Sequence, residues 1–191
     1  MAFTAQDVKK LREMTNVGMM DCKKALQATD GDMDKAVDWL REKGLAKAAK
    51  KADRIAAEGV AYATVIDGVG VVIEVNAETD FASKTDAFQD LVKNLAIVVA
   101  KENPADVEAL KACKYPESNL TVTEIMQEKV MSIGENMVIR RFDRFAENTS
   151  VAYVHAGGSH GVLVNLAVEG DIDATEIGKN VAMQIAAMKA Q

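Results

Sequence analysis

At 191 residues the chain is long enough for one large domain or two small ones, and for a substantial buried core. Apolar residues make up 49% and charged residues 27%, which excludes the low hydrophobicity of a disordered chain. The formal net charge of -6 argues against a surface that coats nucleic acid, and no segment approaches the roughly 18 consecutive apolar residues of a membrane span. Cys22 and Cys113 are far apart and form no ligand-like spacing; they read as reduced thiols or as one disulfide. The opening residues lack the basic and apolar regions of a secretory signal, so the expected location is the cytoplasm.

The first 54 residues read as three short helices. Val8, Leu11 and Met14 recur at helical spacing, then Cys22, Ala25 and Leu26, then Met33, Ala36, Val37 and Leu40. Asp32 is placed to cap the third helix, Asn16 and Gly18 suit a turn with positive backbone angles, and Gly44 suits a helix stop after Arg41 and Lys43. Residues 45–56, rich in alanine and lysine, predict a linking helix. The period then changes to two. Val60, Tyr62, Thr64 and Ile66 share one face of a strand, Val71, Ile73 and Val75 one face of the next, and Asp67-Gly68-Val69-Gly70 joins them as a hairpin.

A helix follows over 86–101, with Phe88, Leu91, Leu95, Val98 and Val99 on its core side. Pro104 and Pro116 punctuate an irregular helical region before a further helix over 122–132. Strands are expected over 137–145, 151–155 and 162–168, with Gly157-Gly158-Ser159 between the last two. The closing helix spans 174–189, capped by Asp171 or Asp173, with Ile177, Val181, Ile185 and Met188 at helical spacing. The expected class is α+β: a three-helix domain over 1–54, an α+β subdomain over 55–148 with antiparallel strands, and a partial second subdomain over 149–191.

Lys47, Lys50, Lys51 and Arg54 follow the spacing i, i+3, i+4, i+7, and residues 41–54 hold six basic against two acidic side chains. They read either as an electrostatic contact for an acidic partner or RNA, or as a solvated linker face. His155 and His160 flank a glycine turn without the further ligands of a metal site, and no nucleophile–base pair, GxGxxG or P-loop is present. Glu78-Thr79-Asp80-Phe81-Ala82 joins a strand to the long helix. There Thr79 or Asp80 serves as a helix cap with Phe81 tucked into the core, or the aromatic–acid pair projects as a wedge.

Two motifs carry a resemblance. LREMTNVGMMDCKKAL at 11–26 closely resembles the N-terminal signature of the elongation factor Ts family, and VNAETDF at 75–81 resembles its second signature. KAAKKA at 47–52, IGEN at 133–136 and the Arg140-Arg141 strand look like family elements in family order, so the resemblance covers essentially the whole chain. The resemblance implies a ubiquitin-associated-like three-helix domain and an α+β core. It implies a non-enzymatic guanine-nucleotide exchange factor of translation elongation that acts on elongation factor Tu, with no cofactor, metal, membrane or DNA partner and no RNA binding expected. The resemblance casts Thr79, Asp80, Phe81 and Ala82 as the wedge that dislodges the partner's magnesium-holding elements so that GDP leaves. It places Arg12, Met19, Met20, Ile133, Gly134, Glu135, Asn136 and His155 at partner-facing positions. The alternative is a passive RNA- or protein-binding module that uses the basic helix 47–54.

Departures from the family pattern are Asn16 where glycine is usual and Ala82-Ser83 where a bulkier apolar residue and alanine are common. Long members also continue past the helix that here ends near Gln191, so 151–189 resembles half of a second subdomain and an apolar face is expected to be left uncovered.

Overall fold

The first helix begins where the sequence supplies its own cap. In the computed structural model, which describes residues 3–188, Thr4 and Asp7 form a capping box at the start of α1 (Ala5–Thr15). The Asp7 carboxylate accepts from the Thr4 N–H at 2.7 Å, and the Asp7 N–H donates to the Thr4 hydroxyl at 3.3 Å. Asn16 closes the helix in the left-handed region, at φ 53°, so asparagine serves where only a short side chain is tolerated. Gly18 is different from expectation: it is extended (φ -58°, ψ 141°) and forms the N-cap of α2 (Met19–Ala28), so the bend requires no positive φ there. Asp32 caps α3 (Met33–Lys51), accepting from the Lys35 N–H at 3.0 Å.

These helices bury Val8, Leu11, Cys22, Leu26, Ala36 and Leu40 in one core. Met14 lies outside it, 55% exposed. Two successive three-residue steps from Val8 rotate it off the buried face, and Thr15 takes the inward position, its hydroxyl bonded to the Leu11 carbonyl at 2.7 Å. The expected helix stop at Gly44 does not occur either. One helix continues to Lys51, and Gly44 is buried inside it. A Cβ there would lie 3.5 Å from Met131 Sδ of α7 (Val122–Ile133), so the missing side chain admits a close helix neighbour. A single interior glycine costs about 1 kcal/mol, which the alanine- and lysine-rich turns beyond it and this packing offset. The described residues up to Arg54 form one compact unit with Glu124–Asn136, and Ile55–Thr123 with the described residues from Met137 onward form another.

In the second unit β1 (Glu58–Ile66), β2 (Val69–Ala77) and β3 (Met137–Phe145) form an antiparallel sheet in the order β1-β2-β3. Asp67 and Gly68, at φ 50° and 82°, make the two-residue hairpin whose twist matches the strands. After the one-turn α4 (Asp80–Ser83), α5 (Asp86–Glu102) packs on β1 and β2 and buries Phe88, Leu91, Leu95, Val98 and Val99, as their spacing requires. The short α6 (Val107–Ala112) precedes α7. A second sheet consists of β4 (Thr149–His155) and β5 (His160–Leu166), each starting two residues earlier than the alternation suggests. The class is α+β.

The last helix, α8 (Thr175–Met188), packs on β4 and β5 with the opposite face from the one expected; Lys189, the expected end of that helix, lies outside the described residues. Ala174, Gly178, Ala182 and Ala186 are buried at steps of four, whereas Ile177 and Met188 are 62% and 75% exposed. The hairpin backbone comes too near for branched side chains: a Cβ on Gly178 would meet Val151 Cγ2 at 2.5 Å. Gly178→Val is therefore expected to lower stability in urea unfolding by about 1–3 kcal/mol through overpacking. Ile177→Ser should stay within about 0.5 kcal/mol of the parent. The reverse ranking would mean that the large apolar face is the packed one.

Candidate functional site

The turn after β2 is fixed by its own hydrogen bonds. Thr79 is extended (φ -129°, ψ 155°) and caps α4, its hydroxyl accepting from the Ala82 N–H at 3.2 Å. Thr85 donates to the Ala82 carbonyl at 2.7 Å, Gln89 to the Ser83 carbonyl at 2.8 Å, and Ser83 to the Asp80 carbonyl at 3.0 Å. Ala82 and Ser83 are buried, and the single turn between two caps leaves position 81 outward. Phe81 is 82% exposed. Both functions of this segment thus coexist: Thr79 caps, and the ring projects rather than tucking into the core.

Asp80 stands beside the ring and pairs with Lys84 at 2.6 Å, one helical turn on. The hydrogen bond from Lys84, helped by its charge, holds the Asp80 carboxyl below its ordinary value. The carboxylate is therefore ionised at neutral pH, tethered but accessible. An apolar ring on a turn that is already ordered is suited to binding, because little conformational freedom remains to be lost when it is buried. Spacing alone did not reveal the Lys84 partner, although its i+4 position was the available signal.

The first unit offers a second exposed patch. Arg12 near the end of α1 is exposed, as are Met19 and Met20 at the start of α2, at 43% and 65%. Met14 joins them as an unanticipated apolar side chain; three methionines around one connection were its signature. The segment 133–136 behaves differently. Asn136 is buried, its amide donating to the Arg54 carbonyl at 2.8 Å and to the Ala52 carbonyl at 3.4 Å. Gly134, in the left-handed region at φ 91°, offers its carbonyl to Lys51 Nζ. Both contacts lie at the C-terminal end of α3; the Asn136 amide serves carbonyls there, which otherwise lack partners, and Gly134 accepts from the Lys51 side chain. Ile133 and Glu135 are half-buried beside them.

The basic run is not one free helix face. Lys47 pairs with Asp21 at 2.6 Å, Lys51 is bonded to Gly134, and Arg54 lies past the end of α3. Lys50 is exposed. His155 is exposed at the end of β4, its Nδ1 hydrogen-bonded to the Tyr153 hydroxyl at 2.9 Å. Among the described residues no group of three or more His, Cys, Asp or Glu is arranged to hold a metal ion, and no helix is long and apolar enough to cross a membrane.

Two measurements test the local account of the turn. Thr79→Ala is expected to cost about 1 kcal/mol by loss of the cap, and Phe81→Ala to stay within about 0.5 kcal/mol because the ring touches little; urea unfolding distinguishes them. The depressed carboxyl also fixes a sign. The Asp80–Lys84 contribution is fully present above the ordinary value of 3.8 and is lost as pH falls through the lower folded value. In an NMR titration of the Asp80 side-chain carbonyl, Lys84→Met should move the midpoint back up.

Comparison with known proteins gives the family of the chain. Residues 78–191 match the family described as Elongation factor TS. The chain is also 47% identical over 194 residues to an elongation factor Ts of Magnetococcus marinus (strain ATCC BAA-1437 / JCM 17883 / MC-1), covering 100% of this chain and 64% of that relative. The chain thus spans a little under two thirds of the length of the relative it matches. On these two grounds, it belongs to the elongation factor Ts family.

Proposed function

We propose that this chain acts in translation elongation as a guanine-nucleotide exchange factor, binding elongation factor Tu and promoting release of GDP. The single observation that carries the reading is Phe81, an exposed aromatic ring on a turn fixed by its own caps, with the ionised Asp80 beside it. In this reading Thr79 and Ala82 hold the wedge. Phe81 supplies apolar contact, and Asp80 competes for the polar groups that hold the partner's magnesium ion and phosphates. Weakening the hold on magnesium is effective because the ion bridges phosphate charge to protein.

The exposed Arg12, Met19 and Met20 would dock the three-helix domain of residues 1–54, with Met14 as an added contact. The core subdomains of 55–148 and 149–191 would carry the wedge and His155. Ile133 and Glu135 would touch the partner, while Gly134 and Asn136 keep the end of α3 in place. An exchange factor must bind the nucleotide-free partner better than the nucleotide-bound one, and its effect on nucleotide affinity equals that difference. No covalent step, cofactor or metal of its own is required, and the cytoplasm is the compartment in which such a partner works. The passive-module reading is weakened because Lys47 and Lys51 already have internal partners.

Release of a fluorescent GDP analogue from elongation factor Tu, with and without the chain, tests the proposal. Phe81→Ala is expected to slow stimulated release about 10-fold or more, as for a central aromatic contact worth about 2 kcal/mol. Release as fast as with the parent would sink the wedge. Salt-sensitive RNA binding that survives Phe81→Ala but not Lys50→Glu would favour the passive module.

A further inference from the structure

The closing pair of the β4–β5 hairpin brings two imidazoles together, of which the exchange reading assigns a role to His155 alone. His155 and His160 are direct cross-strand partners, so both side chains leave the same face of the ladder. Their rings stand 6.2 Å apart between centroids, inclined at 60°. Each Nδ1 is already engaged, His155 with the Tyr153 hydroxyl at 2.9 Å and His160 with the Ser159 hydroxyl at 3.1 Å. Ser159 spends its own proton on the His155 carbonyl at 3.2 Å. In the tautomer with the proton on His160 Nδ1, that nitrogen donates to the Ser159 hydroxyl and Nε2 is the ligating nitrogen. The Tyr153 hydroxyl can accept from His155 Nδ1 in the same way. Donation of the far ring N–H to a fixed acceptor is the arrangement that orients a ligating histidine.

The geometry points to a divalent transition-metal site in which Nε2 of His155 and Nε2 of His160 bind one ion of the zinc, nickel or copper class. Imidazole pairs suit these borderline ions rather than calcium or magnesium, which take oxygen ligands. Two rings bound to one zinc at ordinary Zn–N lengths have centroids roughly 5 Å apart, so the observed 6.2 Å closes by a small side-chain rotation. His155 is exposed and His160 half-buried, which leaves room for that rotation. No third His, Cys, Asp or Glu joins them among the described residues, so water fills the remaining positions and the site is open. The hairpin itself is rigid at this end. The turn Ala156–Ser159 is closed by the Gly158 and Ser159 N–H groups on the His155 carbonyl, at 3.0 and 3.1 Å.

The test is a zinc titration of the untagged 191-residue chain, followed by nitrogen-15 correlation spectra of the histidine rings. One equivalent of zinc is expected to shift Nε2 of both rings together. His155→Ala and His160→Ala should each weaken binding about tenfold or more, as loss of one of two ligands. His160→Gln keeps the bulk at the turn and should weaken it equally, with an unchanged backbone spectrum showing that the fold is intact. Ring resonances that do not move, movement of one ring alone, or undiminished binding in the variants would each overturn the site. None of these outcomes depends on elongation factor Tu, so failure here leaves the exchange reading untouched.

Discussion

The central strand β2 is the constraint on which the larger unit depends. It is hydrogen-bonded along both sides, to β1 and to β3, and Val71, Ile73, Val75 and Ala77 are buried on one face. A strand paired on both sides cannot slide without reversing which side chains face the core. Its end at Ala77 is therefore fixed, and Thr79 must turn the chain there. The cap on α4 and the cap on α5 follow within seven residues, so the segment between them is specified by backbone hydrogen bonds rather than by packing of Phe81. This explains how a large apolar side chain stays in water: the turn holds it out.

Exposed apolar side chains recur elsewhere, and the causes differ. Met19 and Met20 face outward because Cys22, Ala25 and Leu26 already occupy the inward stripe of α2. Met14 is outward because the helix rotates it off the buried face. In α8 the outward residues Ile177, Val181 and Met188 are displaced by a stripe of small residues that lets the helix approach the β4–β5 hairpin closely. Close approach increases contact per residue, and this compensates for the small size of each side chain. The same trade occurs at Gly44, where α3 admits Met131 rather than stopping.

Charged side chains in the first unit act mainly as internal ties. Lys47 joins α3 to Asp21 of α2, Arg41 reaches Glu128 of α7 at 3.1 Å, Lys51 donates to the Gly134 carbonyl, and Asn136 donates to the Arg54 carbonyl. Exposed ion pairs each contribute little. Asn136 is the stronger element, since a buried amide with two carbonyl partners fixes position as well as energy.

The sequence by itself determined the elements and the class. A cap at Thr79 or Asp80, the cap at Asp32, the turn at Asn16, alternation in β1 and β2, the Asp67-Gly68 hairpin and the apolar stripe of α5 are local signals, each acting within a few residues. It also placed the aromatic–acid pair at a strand-to-helix turn and, through its two signatures, in a family. What only the tertiary structure decided were the choices between equivalent faces. Whether Phe81 is inward, whether α8 packs by its large or its small residues, and whether Gly44 ends a helix or seats a neighbour all depend on what lies opposite. The same holds for Lys47, Lys51 and Asn136, whose partners are distant in sequence. Periodicity reports that a face exists; the volume available across from it decides which face is buried.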